Sequence, residues 1–188
     1  VKICGITELQ NLEAAVENGA SYVGFVFFEK SRRNISNLLA QKLANRTPCE
    51  VIRVALMVDP SDAFITRVLD TVSIDMLQLH GHETSERVLK IKAMANMPVI
   101  KAIGVSDRKD LEIIRKYEMV ADKILLDAKP PLNAGVPGGR GYQFDWSIIN
   151  GYKFKKPWLL AGGLNQYNVK KAIVQTGATE VDVSSGVE

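Results

Sequence analysis

The stretch Val99–Asp127, VIKAIGVSDRKDLEIIRKYEMVADKILLD, contains one full repeat of the unit from which this chain is built. Val99–Ile103 is a short run of apolar and β-branched residues and reads as a strand. Arg108–Tyr117 carries its apolar residues at helical spacing. Lys123–Asp127 is a second apolar run, and it ends in a carboxylate. Strand, helix and strand in close succession make a βαβ unit, whose two strands lie parallel.

The same alternation extends in both directions. Further strands are expected at Val1–Cys4, Tyr22–Phe27, Val51–Val58, Met76–His80, Trp158–Ala161 and Glu180–Val183. Leu9–Asn18 reads as a helix, with Leu12, Ala15 and Val16 on one face and Gly19 just past its end. Asn37–Ala44, Ser61–Leu69, Ser85–Ala95 and Gln166–Thr176 follow the same pattern, the last stopped by Gly177. About eight strands and seven helices in strict alternation predict an α/β chain folded as a (βα)8 TIM barrel, near the low edge of about 200 residues for that fold. No linker or change of composition divides residues 1–188, so a single barrel domain is expected. Val1 already lies within a strand, and Glu188 falls where an eighth helix is due. The sequence therefore reads as cut at both ends, with the C-terminal helix beyond it.

Composition narrows the function classes. Apolar residues make up 46% and charged residues 24% of the 188, which is ordinary for a globular domain. The net charge is +3, and the two signs are interspersed. That leaves no basic stripe for nucleic acid and weakly suits a small anionic ligand. No apolar run is long enough to span a bilayer, and no signal-peptide pattern is present. Cys4 and Cys49 form neither a disulfide framework nor a metal-ligand pattern. A reducing, cytoplasmic setting is the expectation.

In such barrels the chemistry sits where strands end. Cys4, Arg33, Asp59, His80 and Asp127 stand at or just after the ends of strands one, two, three, four and six. Alternation puts Leu77 and Leu79 on one face of their strand and Gln78 and His80 on the other. Likewise Leu125 and Asp127 lie opposite Ile124 and Leu126. If the aliphatic faces meet the helices, His80 and Asp127 point towards the barrel axis at its mouth. Gly162-Gly163 follow strand seven, and Ser184-Ser185-Gly186 follow strand eight. Glycine loops that open onto helix N-termini can cradle a phosphate, and loops seven and eight are the usual place for one. Tight turns alone would also use these glycines. Gly138-Gly139-Arg140-Gly141 superficially resembles a dinucleotide fingerprint but does not directly follow a strand. The long Gly- and Pro-rich stretch Lys129–Tyr142 reads better as a lid.

These residues resemble the phosphoribosylanthranilate isomerase family. The matches run in order through the chain: Lys2–Thr7, Gly24–Phe27 with Ser31–Arg33, Gln78–Gly81, Leu126–Ala128, Gly138–Gly141 with Phe144–Trp146, Leu160–Leu164, and Val181–Glu188. Any one is modest, whereas the set is specific. The resemblance implies an Amadori rearrangement of N-(5-phosphoribosyl)anthranilate, the third step from chorismate in tryptophan biosynthesis. It is an aldose-to-ketose shift with no net redox change, so it implies neither cofactor nor metal. The implied partner is that small-molecule substrate, with no nucleic acid and no membrane, and the chain is expected to be a monomer or homodimer.

The family's general base maps onto Cys4 and its general acid onto Asp127. A base role calls for a thiolate, which nearby positive charge would favour. An acid role calls for a protonated carboxyl, which burial or a neighbouring anion would favour. Arg33 maps onto the arginine that takes the anthranilate carboxylate, a planar group its fork fits. Arg32 stands where the family usually has Pro, a departure that bears on the loop's shape. Gly162, Gly163, Ser184 and Ser185 would hold the phosphate. Asp182 would either orient substrate or hold the strand-eight loop, and His80 would either donate to substrate or serve structurally. His82 is expected to face solvent, Cys49 to be incidental, and Phe144 and Trp146 to pack the helix after strand six. Rival readings are another phosphosugar barrel or a non-catalytic phosphometabolite-binding domain. A histidine-pathway isomerase would need an aspartate where Cys4 stands. Indole-glycerol-phosphate synthase would need a lysine and glutamate set that is not found.

Overall fold

The computed structural model describes residues 1–129 and 141–188. Most of the stretch expected to form a lid, including Gly138-Gly139-Arg140, lies outside the described residues. Eight strands run in chain order: β1 (Lys2–Cys4), β2 (Tyr22–Phe27), β3 (Ile52–Met57), β4 (Met76–Leu79), β5 (Val99–Val105), β6 (Lys123–Ala128), β7 (Trp158–Leu160) and β8 (Asp182–Val183). They form one parallel sheet in the order β7-β6-β5-β4-β3-β2-β1-β8. The first strand pairs with the last, Lys2 opposite Asp182. A bridge between Leu160 and Val181 brings β7 against β8 and nearly closes the barrel. The expected (βα)8 architecture is present.

Among the described residues six α-helices alternate with the strands: α1 (Leu9–Glu17), α2 (Asn37–Ala44), α3 (Asp62–Leu69), α4 (Ser85–Ala95), α5 (Asp110–Glu118) and α6 (Val169–Thr176). Three of them begin with a hydroxyl accepting from a backbone N–H: Ser36 from Leu39, Ser61 from Phe64 and Thr84 from Arg87. Between β6 and β7 the described residues hold only a 3-10 turn, Trp146–Ile149. Among the described residues this corrects the expectation of a seventh α-helix. Asp145 caps that turn through the Ser147 N–H, and Asn150 leaves the helical conformation five residues on. Phe144 and Trp146 are buried in the core, as expected of packing residues. No helix among the described residues is long and apolar enough to cross a membrane.

The period-two pattern of the strands divides the molecule into two cores. Outward residues such as Phe25, Leu77, Ile103 and Ile124 pack against Leu12, Ile65, Ile91 and Ile114 of the helices. Inward residues Val54, Ile100, Ala102, Leu125, Leu159 and Ala161 fill the barrel's middle. Above them Cys4, Val26 and Leu56 form a thin apolar layer. Polar side chains also point inward. At the bottom Lys123 donates to Tyr22 and Glu180. In the middle Lys2, fully buried, donates to Asp182 Oδ1 at 2.7 Å.

Candidate active site

A cleft of about 220 Å³ opens at the C-terminal ends of the strands, and Cys4, Arg33, His80, Asp127, Gly162, Gly163, Asp182, Ser184 and Ser185 all line it. Residues from strands one, two, four, six, seven and eight thus converge, although they are spread over the whole chain.

Cys4 ends β1 with its side chain inward and buried. Its neighbour across the ladder is Gly24, where a Cβ would stand 2.9 Å from the Cys4 sulfur. Glycine at position 24 therefore makes room for the thiol. Burial pushes the thiol's pKa up, while the Lys2 cation on the same strand face pulls it down and Asp182 pushes it further up. For Lys2, burial disfavours the cation, but Asp182 and Cys4 outweigh it, so its pKa is pushed up to about 12. Lys2 is thus a fixed positive charge beneath the thiol. It does not overcome the burial of Cys4, so the thiol sits above rather than below its ordinary range, the opposite direction from the thiolate that a base role calls for.

Asp127, 8% exposed, stands one residue before the end of β6, opposite Gly104. Its Oδ1 accepts from the Ala128 N–H at 2.8 Å, and His80 Nε2 stands 3.3 Å from its Oδ2. His80 is held in turn by Gln78, whose Nε2 lies 3.1 Å from His80 Nδ1. The Gln78 Oε1 is buried and has no partner among the described residues. An unmet acceptor of that kind costs about 1–3 kcal/mol.

Arg33 is buried, and its Nε donates to Glu188 Oε1. Arg32 is exposed and reaches Glu188 Oε2 at 2.9 Å. These guanidinium contacts hold the Glu188 carboxyl below the usual carboxylate range. The residue that stands where the family usually has Pro thus becomes a second cation on one carboxylate.

Gly162 and Gly163 have φ of +87° and +63°, a turn that L side chains resist. The Gly163 carbonyl accepts from Asn168 Nδ2 at 2.8 Å. A Cβ on Gly186 would run into the Leu164 carbonyl, so the loops after β7 and β8 pack backbone against backbone. They act as one unit beside the cleft.

Asp182 is tied to Lys2 inside the barrel, which fits the role of holding β8. His82 is open to solvent, and its side chain is 96% exposed. Cys49 is exposed, away from the cleft. Among the described residues no group of three or more His, Cys, Asp or Glu is placed to hold a metal ion. Sequence reasoning gave no role to Lys2, Gln78, Gly24 or Glu188. A lysine two residues before Cys4 on a strand shares its face, and that was the available signal.

The family model for N-(5'-phosphoribosyl)anthranilate (PRA) isomerase matches residues 1–188. The chain is 53% identical over 188 residues to the N-(5'-phosphoribosyl)anthranilate isomerase of Paracoccus denitrificans, covering all of this chain and 87% of that protein. Its fold is similar to a crystal structure of mutually generated monomers of the dimeric isomerase of Thermotoga maritima, with a TM-score of 0.85 and 40% identity over all of this chain and 87% of that one. A phosphoribosylanthranilate isomerase in complex with reduced 1-(o-carboxyphenylamino)-1-deoxyribulose 5-phosphate matches equally well, with a TM-score of 0.85, 40% identity and the same coverage.

Proposed function

The chain belongs to the N-(5'-phosphoribosyl)anthranilate isomerase family, and from that premise we propose how its residues divide the reaction. The enzyme converts N-(5-phosphoribosyl)anthranilate to 1-(o-carboxyphenylamino)-1-deoxyribulose 5-phosphate in tryptophan biosynthesis. Asp127 gives its proton to the furanose ring oxygen. The C1–O bond breaks and the anilino nitrogen's electron pair forms the iminium. Cys4, as thiolate, then removes the proton from C2, and the C2–H electrons neutralise the iminium as an enolamine. Tautomerisation of the enol at C2 gives the ketone.

Arg33 takes the anthranilate carboxylate in this reading. Gly162, Gly163, Ser184 and Ser185 take the phosphate, helped by backbone N–H groups that need no side-chain ordering. Asp182 keeps β8 in place through Lys2 rather than touching substrate, and His80 supports Asp127. The observation that carries the assignment is that one cleft gathers Cys4, Asp127, Arg33 and both loops. Residues 1–188 act as a single barrel domain, which the pairing of β1 with β8 supports. All proposed site residues lie on one chain, so a homodimer is not needed to complete the site.

The test is the loss of substrate fluorescence on turnover. Asp127→Asn and Cys4→Ser should each lower kcat by about 10²–10⁴-fold, the usual worth of a general acid or base. An Asp127→Asn enzyme that turned over normally would overturn the assignment. Ser184→Ala should raise KM with kcat nearly unchanged, the signature of lost uniform binding.

A further inference from the structure

We propose that Gln78 is a positioning residue that fixes the tautomer of His80 and thereby aims an N–H at the Asp127 carboxylate. The inference rests on Asp127 being the acid, but its geometry stands alone. Gln78 is fully buried on β4, on the same inward face as His80 two residues on. Its Nε2 is 3.1 Å from His80 Nδ1. An amide nitrogen can only donate, so Nδ1 must accept, and the neutral imidazole carries its proton on Nε2. That nitrogen stands 3.3 Å from Asp127 Oδ2, while Oδ1 already accepts from the Ala128 N–H. The Ala128 N–H thus meets one oxygen of the carboxylate left after Asp127 gives up its proton, and His80 Nε2 stands 3.3 Å from the other.

The other end of the amide sharpens the case. Gln78 Oε1 is buried and meets no donor among the described residues. An apolar side chain of similar volume would leave no such orphan. As packing the amide is a poor choice, whereas as an aimed donor it is explained. It differs from a core residue in what its loss should do.

The chain has two histidines, His80 and the solvent-facing His82, so imidazole nitrogen NMR resolves the question, with His82→Gln supplying the assignment. Wild type should show His80 neutral and protonated at Nε2. Gln78→Met should lose that single tautomer and lower kcat by about tenfold or more, short of the roughly 10²–10⁴-fold worth of the acid itself. KM and Tm should hold steady. An Nδ1-protonated His80 in wild type would overturn the proposal, as would a Gln78→Met enzyme that keeps either its tautomer or its kcat. If Gln78→Met does not fold, the wild-type spectrum decides alone. Failure of the acid assignment would be seen separately, as normal turnover by Asp127→Asn with the Nε2 tautomer intact.

Discussion

Cys4 sits in an environment that works against the role proposed for it. Burial raises the thiol's pKa and Lys2 only partly offsets this. In a Cys49→Ala background, titration of the thiolate by ultraviolet absorbance should give a midpoint above the roughly 8.5 of a free thiol. Lys2→Met should move it higher still, and a midpoint unaffected by Lys2→Met would show that the cation does not reach Cys4. Gly24→Ala should lower kcat while the fold survives, because its Cβ would press on the sulfur. That Cys4 and Asp127 would stand at the mouth was legible in the sequence because strand ends are marked by a change from apolar to reactive residues, whereas the roles proposed for them came from the family resemblance. Lys2 was not, since a charged residue in a three-residue strand looks like an edge residue until the last strand of the chain is known to lie beside it. Gln78 was placed on the correct face, but nothing in a single strand shows which group its amide will meet.

At the level of elements, the hydroxyl caps give the most direct tests. Ser61→Ala should lower stability by about 1 kcal/mol in urea unfolding with kcat unchanged, since Ser61 only satisfies the Phe64 N–H. Ile114→Ala on the buried face of α5 should cost more, about 2–5 kcal/mol, through lost burial and a residual cavity. Strand positions were readable because β-branched runs between amphipathic stretches leave few alternatives, and α2 and α4 have the predicted bounds. Ser61 was read as the first helical residue and is instead the cap, a difference that depends on its φ and ψ rather than on composition. The turn after β6 was overread as a helix. Trp146, Ile148 and Ile149 are apolar enough to suggest one, but Asp145 and Asn150 stop the chain on either side.

Over the whole molecule, Lys2 and Asp182 join the first strand to the last within the barrel. Asp182→Ala would leave a buried cation unpaired and should destabilise the protein by about 3–5 kcal/mol, measured without substrate. The pH dependence follows from Lys2, whose pKa of about 12 in the fold exceeds the ordinary lysine value of about 10.4. Its contribution should be complete below about pH 10.4 and lost as pH rises towards 12. Specific activity should not change on dilution, because the proposed site lies on one chain; a fall on dilution would show that a second copy is needed. The 180 residues that separate Lys2 from Asp182 also bear on how the protein is made. During synthesis the first strand leaves the ribosome long before its counter-charge exists. Burying Lys2 at that stage would strand an ammonium in an apolar interior, so the nascent chain gains nothing by closing early. The barrel interior can be completed only after its last strand has emerged.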